Sequence, residues 1–143
     1  MDKKRSKRIR LGDVYAIPLP DGRYAFGRLF KENSIAVYRH SGINLDDISK
    51  EEDYRFVVAV YKDVLQDGKW IIVGNRTFKN DEAWPPPKYI IDKMNGKYSI
   101  YYKGEIIHST RDKCIGLEVA SVWDAHHIID RIMGEEKWTK ILK

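Results

Sequence analysis

Residues 13–39 read DVYAIPLPDGRYAFGRLFKENSIAVYR. Val14, Ala16 and Pro18 alternate with Tyr15, Ile17 and Leu19, so an extended chain here carries apolar groups on both faces. Pro20-Asp21-Gly22 follows: a residue with φ preset, one that bonds its own backbone, and one that accepts positive φ. That is turn chemistry, and Tyr24–Phe30 is the return strand, with Gly27 marking a bulge or close approach. Lys31-Glu32-Asn33 turns the chain again into Ser34–Tyr38. Three short strands joined by tight turns predict an antiparallel meander, because sequence-adjacent strands usually pair.

Outward from this block, residues 40–53 are polar and acidic and read as a surface loop or short helix. Phe56–Tyr61 is a continuous apolar, β-branched run, as expected of a strand covered on both faces, and Trp70–Val73 reads as another buried strand after Asp67-Gly68. Trp84-Pro85-Pro86-Pro87 cannot donate to a ladder and is extended polyproline at an edge or between elements. Asn95-Gly96, between Lys88–Asp92 and Lys97–Tyr102, is a hairpin signal. Asp124 is placed to cap a helix through Met133, with Ile128, Ile129 and Ile132 on one stripe and Gly134 beyond its end. Trp138, Ile141 and Leu142 should dock on the body. The class is α+β, mostly antiparallel β-sheet, with an N-terminal meander able to curl into a partly open barrel and one C-terminal helix.

The 143 residues suit one domain over 11–143 behind a short arm, residues 1–10. The net charge of +5 lies wholly in that arm: six basic residues stand against Asp2 between positions 2 and 10, and the remainder is neutral. Such a block reads as a frayed, solvated terminus, with nonspecific nucleic-acid contact the most it offers. One cysteine excludes an intramolecular disulfide and fits a reducing compartment. The longest apolar run is far short of a membrane span, and no h-region follows the basic start. A cytoplasmic protein with no membrane partner is expected.

Catalytic motifs are missing. The four histidines form no H-x-H, H-E-x-x-H or zinc spacing, and neither a phosphate-binding glycine loop nor a nucleophile elbow occurs. His126 and Asp130 stand at i, i+4, which permits a metal pair, but a helix-surface hydrogen bond is the plainer reading. His126 and His127 should point about 100° apart and not share an ion. Cys114 reads as an inert thiol rather than a nucleophile with His108. No cofactor is called for.

Recognition is better served. Asp46, Asp47, Glu51, Glu52 and Asp53 concentrate acidic charge between two strands, where they can meet a basic partner. Trp84 is the second candidate contact, because tryptophan is enriched at interface centres. Arg23 and Arg28 are hard to explain as scaffold. A buried carboxylate such as Glu118, or a ligand pocket, would account for either.

Three blocks together resemble one family. Gly12–Arg28 is similar to the opening signature of the Immunity protein 26 family, Trp84–Pro87 to its aromatic-proline motif, and Cys114–Trp123 with Asp124, His126 and Asp130-Arg131-Ile132 to its C-terminal block. The likeness runs in order over about residues 11–133. It implies an α+β bacterial protein that binds and neutralises a cognate polymorphic toxin by occlusion, without catalysis. Some relatives carry a phosphotriesterase label, so a metal-dependent hydrolase is the alternative. The resemblance transfers no catalytic or toxin-contact residues.

Overall fold

The computed structural model describes residues 8–135, 137, 139 and 141–143. Most of the basic arm and Trp138 therefore lie outside the described residues. Strands β1 (Asp13–Pro18), β2 (Tyr24–Phe30) and β3 (Ser34–Gly42) form the expected meander, with Val14 opposite Arg28 and Arg28 opposite Ala36. The register slips between Ala25 and Gly27 against β3, the bulge that the glycine signalled. A Cβ on Gly27 would lie 2.5 Å from Cγ1 of Ile35, so the cross-strand approach requires glycine. β3 is longer than expected, taking in residues 40–42 of the polar segment.

β4 (Tyr54–Val60) pairs antiparallel with β3. After the short helix α1 (Lys62–Gln66), β5 (Ile71–Asn75) crosses to the opposite edge and pairs antiparallel with β1. Trp70 is buried, but β5 is not the buried strand expected: it is an edge strand with both ends exposed, because among the described residues β1 alone pairs with it. β6 (Lys88–Ile91) and β7 (Tyr98–Tyr102) are the Asn-Gly hairpin, and β8 (Glu105–Ser109) extends it. Then come α2 (Arg111–Cys114), β9 (Glu118–Val119), β10 (Val122–Trp123) and α3 (Ala125–Ile132).

Two open sheets result. The larger has the order β10-β4-β3-β2-β1-β5 and the smaller β8-β7-β6-β9. Neither sheet closes into a barrel, and the larger ends in the edge strands β10 and β5. β10 joins β4, and β9 joins β6, in parallel, so the segment 117–123 ties the two sheets together. The chain end follows: Ile141 bridges to Glu118, and Leu142 exchanges backbone bonds with Gly116 and Leu117.

The two-sided apolar pattern of β1 is realised. Tyr15 and Ile17 join Leu29, Ile35, Val58 and Trp123 under α3, whose Ile128 is fully buried. Val14 and Ala16 face the other way with Phe26 and Tyr38, covered by Leu45 and Ile48 of the acidic segment. That segment is thus the lid of a second core face, and not only a surface loop. No helix among the described residues is long and apolar enough to cross a membrane.

Candidate functional site

Alternation along β2 places Phe26, Arg28 and Phe30 on the lid side of the large sheet. Arg28 is only 7% exposed there. Its guanidinium, over the Phe78 ring at 3.7 Å, uses every N–H. Nε donates to the Arg76 carbonyl at 3.0 Å, and Nη2 to the Arg76 and Thr77 carbonyls at 2.8 and 2.7 Å. Nη1 donates to Glu52 Oε1 at 3.0 Å and to the Tyr54 hydroxyl at 3.2 Å. A buried charge is tolerable only when so satisfied.

Glu52 collects the other donors. Tyr38 and Tyr54 hydroxyls donate to Oε1 at 2.7 Å each, and Arg76 Nη1 to Oε2 at 2.7 Å. Burial alone would raise the Glu52 carboxyl, but the two tyrosine hydroxyls, the Arg76 hydrogen bond and the Arg28 charge outweigh it and hold its pKa below the ordinary value. Burial, then Glu52, pushes the Tyr38 phenol up. Arg76 Nη2 also holds the Ser49 carbonyl at 2.5 Å. Gly12 supports the same knot: it has φ +85°, its carbonyl accepts from the Arg76 N–H, and a Cβ on it would lie 2.4 Å from the Arg76 oxygen. The arrangement saturates its own polar atoms, so what it does is fix the acidic lid and the 75–78 segment to the sheet.

Of the two explanations open for Arg23 and Arg28, a buried carboxylate such as Glu118 or a ligand pocket, Arg28 takes a carboxylate, but it is Glu52. Glu118 lies with the small sheet and takes a bidentate pair from Arg131 of α3, at 2.9 and 2.6 Å. Arg131 is itself buried, with its guanidinium 4.0 Å from the Phe56 ring centre. Arg23 is exposed and donates to the Ser41 carbonyl, so it caps a hairpin end rather than a carboxylate.

The acidic candidates divide by environment. Glu52 is internal to the knot; Asp47 meets His40 Nε2 at 3.0 Å, and Asp53 meets Arg39 Nε at 3.1 Å. Asp46 and Glu51 are exposed and enter no ion pair among the described residues. Beside Glu51 opens a polar depression of about 370 Å³ with both signs of charge in its wall, from Arg39, His40 and Lys50 and from Asp47, Glu51 and Asp53. Ile43, 75% exposed, stands at the same lid. Trp84 is elsewhere, half-buried, under the Lys31 ammonium at 4.4 Å.

On α3, Asp124 occupies the N-cap position without a side-chain cap bond; its Oδ2 lies 3.8 Å from His127 Nδ1. Contrary to expectation, His126 and His127 turn toward each other, ring centres 3.9 Å apart. Residues in a first helical turn have no preceding turn to restrict χ1. Asp124, His126 and His127 offer ligand atoms within 4.8 Å of one another, and Asp130 is not among them. Two imidazoles and a carboxylate suit zinc chemically, although the positive end of the helix opposes a cation. Cys114 is buried, as expected of an inert thiol.

What the sequence reading missed is Arg76, whose Asn75-Arg76-Thr77 context looks like an ordinary strand exit. The exposed apolar edge strand β8, with Ile106 and Ile107 64% and 60% exposed, was missed too.

The arrangement is a large sheet with an acidic lid tied to it through Arg28, Glu52 and Arg76. The family model of Immunity protein 26 matches residues 10–100, and the chain belongs to that family. Membership implies an immunity protein of a polymorphic toxin system. The match takes in the meander, the lid, Arg76, β6 and the first half of β7, while the C-terminal block from Cys114 lies beyond it. No curated protein and no solved structure matches the chain.

Proposed function

We propose that the chain binds the toxin domain of its cognate polymorphic toxin in the producing cell and neutralises it by occlusion, without catalysis. Family membership carries this reading. The contact surface is the lid over residues 43–53. Asp46 and Glu51 supply negative charge outside any ion pair among the described residues, and Ile43 an apolar anchor. Glu52 contributes by holding the lid in shape, and Trp84 is the alternative contact.

The supporting argument is rigidity. A lid pinned through a buried arginine loses little freedom on binding, which lowers the cost of association. The test is co-expression with the toxin domain encoded by the adjacent gene. Restored growth and a stable complex on gel filtration are expected. Restored growth without a complex, with turnover of an aryl phosphotriester, would instead favour the hydrolase. Loss of that turnover on chelation and in His126→Ala would then place its metal on α3.

A further inference from the structure

Between the two sheets lies a cleft of about 290 Å³, lined by Glu32, Ser34, Ala59, Lys88, Tyr101 and Val122 among others. Its walls are mostly apolar, yet two polar groups in it lack partners. Lys88 is only 7% exposed and forms no hydrogen bond or ion pair among the described residues. Ser34 is fully buried, and its hydroxyl has no hydrogen-bond partner among the described residues. Of the carboxylates near Lys88, Glu32 accepts the Tyr101 hydroxyl through Oε2, and both oxygens of Glu118 are taken by Arg131. Burial pushes the Lys88 ammonium below the ordinary lysine value, against the opposing fields of Glu32 and Glu118. A largely buried lysine without a hydrogen bond and an orphan hydroxyl lining one cleft are costly to a scaffold, since buried polar groups are normally satisfied.

We propose that this cleft is a binding site for a single carboxylate carried on a short apolar body. The carboxylate pairs with Lys88 Nζ and accepts from the Ser34 hydroxyl, and the body lies against Ala59, Ala120 and Val122. A monoanion is favoured over phosphate because there is one cation, one hydroxyl and a carboxylate, Glu32, already in the wall. Such a group comes from a free small acid or from the C-terminus of a peptide. The site is independent of the toxin surface, so it can fail while the immunity reading stands.

Isotope-labelled full-length chain would be titrated with sodium 3-methylbutanoate at constant ionic strength and pH 7, followed by amide NMR. The neutral 3-methylbutanamide serves as isostere. Saturable shifts centred on Ser34, Ala59 and Val122 are expected, with the amide and the Lys88→Met variant each weaker by about tenfold or more. Ser34→Ala should weaken binding by about threefold and leave the fold intact, because its hydroxyl bonds to nothing. Bound acid should also raise the Lys88 titration in the unmutated chain, which keeps the test decisive if Lys88→Met does not fold. An N-acetyl dipeptide ending in valine separates the sources: tighter binding than the free acid assigns the cleft to a chain terminus, weaker binding to a small acid. Equal affinity for acid and amide, undiminished affinity in Lys88→Met, or no saturable shift by about 50 mM would overturn the proposal.

Discussion

Arg28 gains its position from strand alternation and its tolerance of burial from five hydrogen bonds. Arg28→Met keeps most of the volume but leaves Glu52 and two carbonyls without their donor. Breaking a buried pair from one side typically costs 3–5 kcal/mol; because the Glu52 side chain is 39% exposed, about 3 kcal/mol is the appropriate end. Urea denaturation should show that loss with an unchanged m-value. Glu52→Gln is milder, roughly 1 kcal/mol at pH 7, since the amide still accepts some of the hydroxyl bonds. Its distinguishing effect is on pH. A carboxyl whose folded pKa lies below the unfolded value contributes stability above the unfolded pKa and loses it as pH falls through the folded one. The unmutated chain should therefore lose stability more steeply below about pH 4.5 than Glu52→Gln does, in urea midpoints from pH 7 to pH 3. From sequence, Glu52 is indistinguishable from Glu51 beside it. Alternation and charge mark Arg28 as unusual, but its partner is chosen by a fold-back across 24 positions that no local pattern records.

Elements with a clear apolar pattern beside their turn chemistry were readable, whereas β8, entered through Lys103-Gly104 with positive φ at both, has the turn without the pattern. Pro20-Asp21-Gly22 and Asn95-Gly96 placed two hairpins, and the isoleucine stripe placed α3. β8 escaped because Glu105-Ile106-Ile107-His108-Ser109 neither alternates nor runs apolar for long, being an exposed edge. The lid looked like a solvated loop because its apolar residues, Leu45 and Ile48, are few among acids. Its attachment makes a further statement testable at Gly12. Alanine there meets both the positive φ and the Arg76 carbonyl, so Gly12→Ala should cost about 2 kcal/mol and displace the carbonyl that Arg28 binds. Hydrogen exchange should rise across residues 49–54 more than in β6–β7. Uniform acceleration would mean that Gly12 supports global stability without a special tie to the lid.

Across the whole molecule, the balanced charge beyond the arm means that recognition depends on where charge is left unpaired. On the lid, Glu52 and Asp53 are answered by Arg28 and Arg76 and by Arg39, and Asp47 is hydrogen-bonded to His40, while Asp46 and Glu51 enter no ion pair among the described residues. The composition could not make that division, since all five acids read alike in a run. It also selects the variants for testing the proposed interface. Glu52→Lys would place a cation between two guanidinium groups and unfold the lid, so any loss of binding would be uninformative. Asp46→Lys with Glu51→Lys changes the outward field alone, and the melting temperature should move little because exposed charges contribute little to stability. If the toxin presents a basic surface to this lid, the double variant should slow association by about tenfold or more at low salt. The difference should shrink toward 0.5 M salt, where the screening length falls to about 4 Å. Dissociation should change less, because rim charges act mainly on encounter. Stopped-flow association at the two salt concentrations measures both effects. Rates that match the unmutated chain at both would take the lid out of the interface, and Trp84→Ala, at the half-buried ring under Lys31, is then the variant in which association should fail.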